Sequence, residues 1–232
     1  MKKSLAIAAL LCSAVAFADS GIAPYELNVK EFDELKVVDG INVEYFCNPE
    51  KAGLVAFEAS PDVASAIIFE PNGKGKLEVK LAVRDQKYTN LPTVRVYSSY
   101  LTKIENDGDS TLNVVSLKEG PELEVKLVGN GRINVRGIKV ARLNTSLATG
   151  KGTIVVDGSA TEAKLSLWGT GEVDASDLLA KNISAKLMGT GWIKCWAIDK
   201  LNVSGMGTGA VSYKGNPAVS IKALKLKVKK LE

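Results

Sequence analysis

The chain has 232 residues, 46% hydrophobic and 24% charged, with a mean hydropathy of +0.06. That composition belongs to a globular protein able to bury a core, neither disordered nor fibrous. There is no histidine, which excludes Ser-His-Asp and Cys-His nucleophile sites, His-ligated zinc and imidazole acid–base chemistry. Thirty basic residues against 26 acidic ones leave +4, too little for a nucleic-acid binder held by phosphate charge.

The chain opens as a secretory signal over residues 1–18. Lys2 and Lys3 precede an apolar run from Ser4 to Val15, and Ala16-Phe17-Ala18 is an A-x-A cleavage site. About twelve apolar residues are too few to span a bilayer, so cleavage after Ala18 is expected. Leu11 stands where lipoprotein processing at Cys12 requires a small residue, so the expected product is soluble and exported. Its compartment is the periplasm, the outer-membrane surface or the exterior. Removing Lys2 and Lys3 leaves 28 basic against 26 acidic residues, and no later stretch predicts a membrane span.

Residues 19–105 are strand-like but irregular. Apolar residues alternate at Val37, Ile41, Val43 and Tyr45, at Val55, Phe57 and Ala59, at Leu77, Val79 and Leu81, and at Val94 and Val96. Polar or turn-rich stretches at Pro61 to Ser65 and Arg84 to Pro92 predict loops.

Residues 106–219 carry a repeat. G-x-G pairs stand at Gly129 and Gly131, Gly150 and Gly152, Gly169 and Gly171, Gly189 and Gly191, and Gly207 and Gly209, with spacings of 21, 19, 20 and 18 residues. Gly108 looks like a worn earlier copy. A period near twenty marks a solenoid whose units bury their apolar faces only by stacking.

Four residues after each first glycine come Ile133, Ile154, Val173, Ile193 and Val211, and two further on Val135, Val156, Ala175, Cys195 and Tyr213. The residues between are mostly polar, and a period of two is that of strands. Each unit therefore reads as two short strands joined at a G-x-G bend, where glycine supplies backbone angles or close approach that other residues resist. Equivalent strands of successive units then run parallel with like residues in ladders, Ile133, Ile154, Val173, Ile193 and Val211 forming the core ladder. The fold class is all-β, a parallel β-helix (β-solenoid) of about 20 residues per coil.

In residues 220–232, Leu224, Leu226 and Val228 alternate with Lys225, Lys227 and Lys229, predicting a terminal strand or cap with a lysine face. Lysine guards an open edge against strand addition; the other reading is a basic patch for acidic glycans or membrane surfaces.

The order of Val37-Val38-Asp39-Gly40-Ile41-Asn42-Val43, then Asn72-Gly73-Lys74-Gly75-Lys76-Leu77-Glu78-Val79, then repeated G-T-G turns resembles the putative auto-transporter adhesin, head GIN domain family from about Phe32 to Val219. The resemblance implies a right-handed, single-stranded parallel β-helix and an adhesin-like exported role, with no catalytic, cofactor or metal residues to carry across.

Two sets of side chains remain as candidates for chemistry. Asp107 with Asp109, and Glu172 with Asp174, are carboxylate pairs on single strand faces about 7 Å apart at Cα, compatible with a polysaccharide lyase or glycoside hydrolase. The rival reading makes them ordinary cross-rung ion-pair partners, Asp174 with Lys194 and Asp157 with Arg136. The second set is apolar. The position before each glycine pair carries Val128, Trp168, Met188 and Met206, and Trp192 and Trp196 fall on outward rows. Such a ridge suits stacking on glycans or contact with another envelope protein or a second copy; alternatively, the chain turns these side chains inward or under a loop. Cys47 and Cys195, counted in chain order, are expected seven rungs apart, roughly 33 Å. That predicts two buried free thiols.

Overall fold

The computed structural model describes residues 21–83, 88 and 90–231. The expected signal segment and most of the Arg84 to Pro92 stretch lie outside them. The described chain is a β-solenoid of roughly 20 residues per coil.

Among the described residues, seventeen strands form one continuous sheet. The irregular half contains β1 (Ala23–Asn28), β2 (Glu34–Val38), β3 (Asn42–Cys47), β4 (Leu54–Ala59), β5 (Ile67–Asn72), β6 (Lys76–Leu81) and β7 (Thr93–Ser98). The regular half contains β8 (Lys103–Asp107), β9 (Thr111–Val114), β10 (Gly120–Val128), β11 (Arg132–Ala148), β12 (Thr153–Gly169), β13 (Glu172–Gly189) and β14 (Trp192–Met206). It closes with β15 (Ala210–Lys214), β16 (Ala218–Leu224) and β17 (Lys227–Lys230).

The two-strand unit needs correction. Leaving a G-x-G bend, one strand of 15 to 18 residues wraps the coil to the next bend, as in β11, β12, β13 and β14. The coil's other corners are register irregularities between Val135 and Ile138, Val155 and Asp157, and Ala175 and Leu179, bulges that bend a strand without ending it.

The inward rows run along the axis. Ile133 pairs with Ile154, Ile154 with Val173, Val173 with Ile193 and Ile193 with Val211, and the file extends through Leu112, Val43 and Val94 at one end and Val228 at the other. On another side Leu127, Leu147, Leu167 and Leu187 form a second file. All but Val228 are almost completely buried, each contributing about 1.5–3 kcal/mol of transfer free energy.

The irregular half is not stacked in chain order. β2 lies between β6 and β8, and β3 between β7 and β9, all parallel. β6 and β7 are therefore the outermost of the parallel strands, and β2 and β3 sit directly against β8 and β9. Antiparallel pairs β1–β4, β4–β7 and β5–β6 close this end. Beneath them lie Phe32, Val55, Phe57, Val63 and Ile67, with Tyr25 stacked on Phe57 at 5.3 Å. The Pro61 to Ser65 stretch, expected as a loop, is helix α1 (Pro61–Ala66). Proline at its first position needs no amide partner and Val63 and Ala66 are buried, so packing wins over the turn-like composition.

This order changes the cysteine count. From the row of Cys47 to that of Cys195 the pairing passes β9, β11, β12 and β13, five rungs, or about 24 Å at 4.8 Å per rung. Both thiols are free, but only Cys195 is buried. Half-buried Cys47 directs its Sγ at the Ser99 carbonyl, 3.1 Å away.

Candidate functional site

The G-x-G corner builds the outer edge of the solenoid. Gly189 has φ +139°, a conformation L side chains rarely adopt, and a Cβ there would lie 2.2 Å from the Gly169 carbonyl oxygen. Gly191 needs no special φ, yet its Cβ would lie 2.3 Å from the Gly171 oxygen and 2.9 Å from a Leu167 methyl. One glycine is required by dihedral and contact, the other by contact alone. Corner amides close the stack: Trp192 donates to the Gly171 carbonyl at 3.0 Å and Ala210 to that of Gly191 at 3.1 Å.

Immediately before this corner the candidate ridge forms a single row. Val128, Ala148, Trp168, Met188, Met206 and Leu224 are register partners on successive rungs. Trp168 is 43% exposed, Met206 51% and Leu224 58%; Val128, Ala148 and Met188 are half-buried. Lys186 Nζ lies 4.7 Å from the Trp168 ring centroid, a cation–π contact covering one ring face. Across the corner Trp192, 53% exposed, occupies the row of Thr153, Glu172, Ala210 and Lys227. Trp196 is separate. Its row is Leu179, Trp196 and Lys214, and it borders an open depression with Asn216, Lys230 and Leu231. Leu224 was not singled out in the sequence because its coil lacks the G-x-G phrase: Lys225, at φ +62°, makes the turn instead.

The carboxylate candidates are all engaged. Lys194 Nζ sits 2.7 Å from Glu172 and 3.3 Å from Asp174. Burial pushes the Asp174 carboxyl up, but hydrogen bonds from Ser176 and the Lys194 charge outweigh it and hold the group below the ordinary aspartate range. A glycosidase acid requires the opposite shift. Asp107 pairs with Lys36 at 3.5 Å, and Asp109 accepts hydrogen bonds from the Asn130 amide and side chain. Asp157 differs from expectation, accepting the Gly137 N–H at 2.6 Å in place of an Arg136 pair. Among the described residues, no group of three or more metal-ligating side chains is placed to hold an ion, and no helix is long and apolar enough to cross a membrane.

The family model for "Putative auto-transporter adhesin, head GIN domain" matches residues 31–217. The chain belongs to this family. Several solved structures share the fold. A putative adhesin from Bacteroides fragilis has 21% identity over 90% of this chain and 97% of its own, with a TM-score of 0.82. A putative adhesin from Parabacteroides distasonis has 20% identity over 90% and 97%, at 0.75. A putative lipid binding protein from the same species has 20% identity over 91% and 97%, at 0.72. No functionally curated protein matches the sequence.

Proposed function

We propose that this head GIN domain protein is a non-enzymatic exported envelope or surface protein, adhesin-like, whose outer corner presents a binding or assembly face. The observation that carries the reading is the row of Trp168, Met188, Met206 and Leu224 on successive rungs beside Trp192, Met188 half-buried and the others exposed. Aromatic and thioether side chains held on a rigid ladder bind with little loss of side-chain freedom, and exposed contiguous apolar surface of this kind marks interaction sites. Glycans are the first ligand class to test, since the Trp192 ring is exposed and can stack on a sugar face; another envelope protein or a second copy are the remaining partners. Export rests on the signal at residues 1–18, which the family's adhesin description suits.

The test is a glycan-array screen followed by titration monitored by tryptophan fluorescence. The expected result is a saturable ligand whose affinity falls by about tenfold or more in Trp192→Ala. Turnover of that ligand, or affinity unchanged in both Trp192→Ala and Trp168→Ala, would overturn the reading.

A further inference from the structure

The two ends of the solenoid differ in chemistry. The end formed by β1, β4, β5 and α1 is sealed over buried aromatic and aliphatic side chains. At the other end, residues 200–232 contain seven lysines against one carboxylate, Glu232. Ion pairs laddering the body, such as Lys126 with Glu105, Lys103 with Glu124 and Lys194 with Glu172, end at Lys214 with Asp177. Among the described residues, no carboxylate lies within ion-pair distance of Lys222, Lys225, Lys227 or Lys229, all exposed.

Apolar groups sit inside that cationic rim. Val219 and Ile221 continue the inward rows of Leu201 and Val203, which are buried, yet no coil covers them and they are 38% and 54% exposed. Leu224 stands beside them on the rim.

We propose that this end face docks on an anionic lipid bilayer. Ile221, Val219 and Leu224 enter the interfacial layer while Lys222, Lys225, Lys227 and Lys229 reach the headgroup phosphates, their stems lying along the apolar centre. Phosphate oxygens and interfacial water satisfy the outer backbone edges of β16 and β17, which pair on one side only. Charge complementarity selects this occupant. Two copies meeting through these ends would oppose the lysines of β16, β17 and the turn between them with their own, and the capped end of a second copy offers no uncovered apolar interior to match Val219 and Ile221. A soluble polyanion would use the lysines but leave the aliphatic centre in water. Each lysine near an anionic leaflet multiplies binding roughly fivefold.

The experiment is cosedimentation of the mature chain with phosphatidylcholine vesicles, with and without about a third phosphatidylglycerol. The expected result is binding to the anionic vesicles alone, abolished at about 0.5 M salt. Lys222→Glu with Lys225→Glu and Lys227→Glu should reduce it more than about fiftyfold, and Ile221→Ser with Leu224→Ser should weaken it severalfold. Lys151→Glu, on an exposed turn in the body of the solenoid, should leave it unchanged; circular dichroism verifies that each variant is folded. No binding, binding indifferent to both variant sets, retention of a soluble acidic polysaccharide but not vesicles, or self-association removed by the same changes would each overturn the proposal. Trp192 and Trp168 lie outside this end face, so failure here is distinguishable from failure of the glycan reading.

Discussion

The regular coils of residues 124–214 and the irregular coils of residues 34–98 bury side chains equally well but are held together differently. In the regular half each strand pairs with the strand about twenty positions later, and the glycine corners leave no room for another residue. In the irregular half, β3 pairs with strands roughly fifty and seventy positions away, and the glycines differ from turn to turn: a Cβ at Gly40 or Gly73 meets nothing within 4 Å, whereas Gly53 and Gly75 have positive φ and sit against Val29 and Asp33. Local repetition makes register self-evident, whereas long-range pairing is set by a cap that follows no repeat.

Glycine substitutions break this contrast most sharply. Gly191→Val should lower stability by more than about 3 kcal/mol or prevent folding, because Cβ alone would overlap the Gly171 carbonyl. Gly73→Ala, in the β5–β6 turn with nothing within 4 Å of its Cβ, should change stability by less than about 0.5 kcal/mol in urea unfolding. Comparable losses at both sites would erase the distinction. Ile154→Ala, removing one level of the core ladder, should cost about 2–4 kcal/mol. In the irregular half, buried Tyr45 shares a 2.9 Å hydrogen bond with Ser98 Oγ, which also donates to the Tyr100 carbonyl. Tyr45→Phe should therefore cost only about 1 kcal/mol.

The smallest effect is electrostatic. Glu105 on β8 lies where the halves meet, between Lys36 of β2 and Lys126 of β10. Burial raises its pKa, but the two lysines prevail and hold it below the ordinary value of 4.5. A depressed folded-state pKa contributes stability that is complete above about pH 4.5 and lost as pH falls through the lower folded value. Glu105→Gln should thus unfold with a shallower pH dependence below pH 4.5, and an unchanged acid limb would remove Glu105 from the junction's electrostatics.

Much of this architecture was legible in the residues. The G-x-G spacing places Trp168, Met188 and Met206 on one row, and alternation after each glycine names the core file. What stayed hidden lacked that punctuation. Val43 and Val94 alternate like any strand, and alternation states which face is buried but not which neighbour is chosen. Helix α1 follows from packing against the cap, and the terminal coil lost its glycines, so its break at Lys225 and the exposure of Ile221 required the three-dimensional stack.

Engineered disulfides read the stacking order directly. With Cys47 and Cys195 replaced by serine, Glu44→Cys should oxidise readily with Arg95→Cys and, in a separate variant, with Asn113→Cys. Each pair consists of register partners one rung apart, about 4.8 Å, within reach of a disulfide. Arg95→Cys with Asn113→Cys, two rungs apart at about 9.6 Å, should not close. A bridge between positions 95 and 113, with none from position 44 to 95, would show coils stacked in chain order and contradict the account.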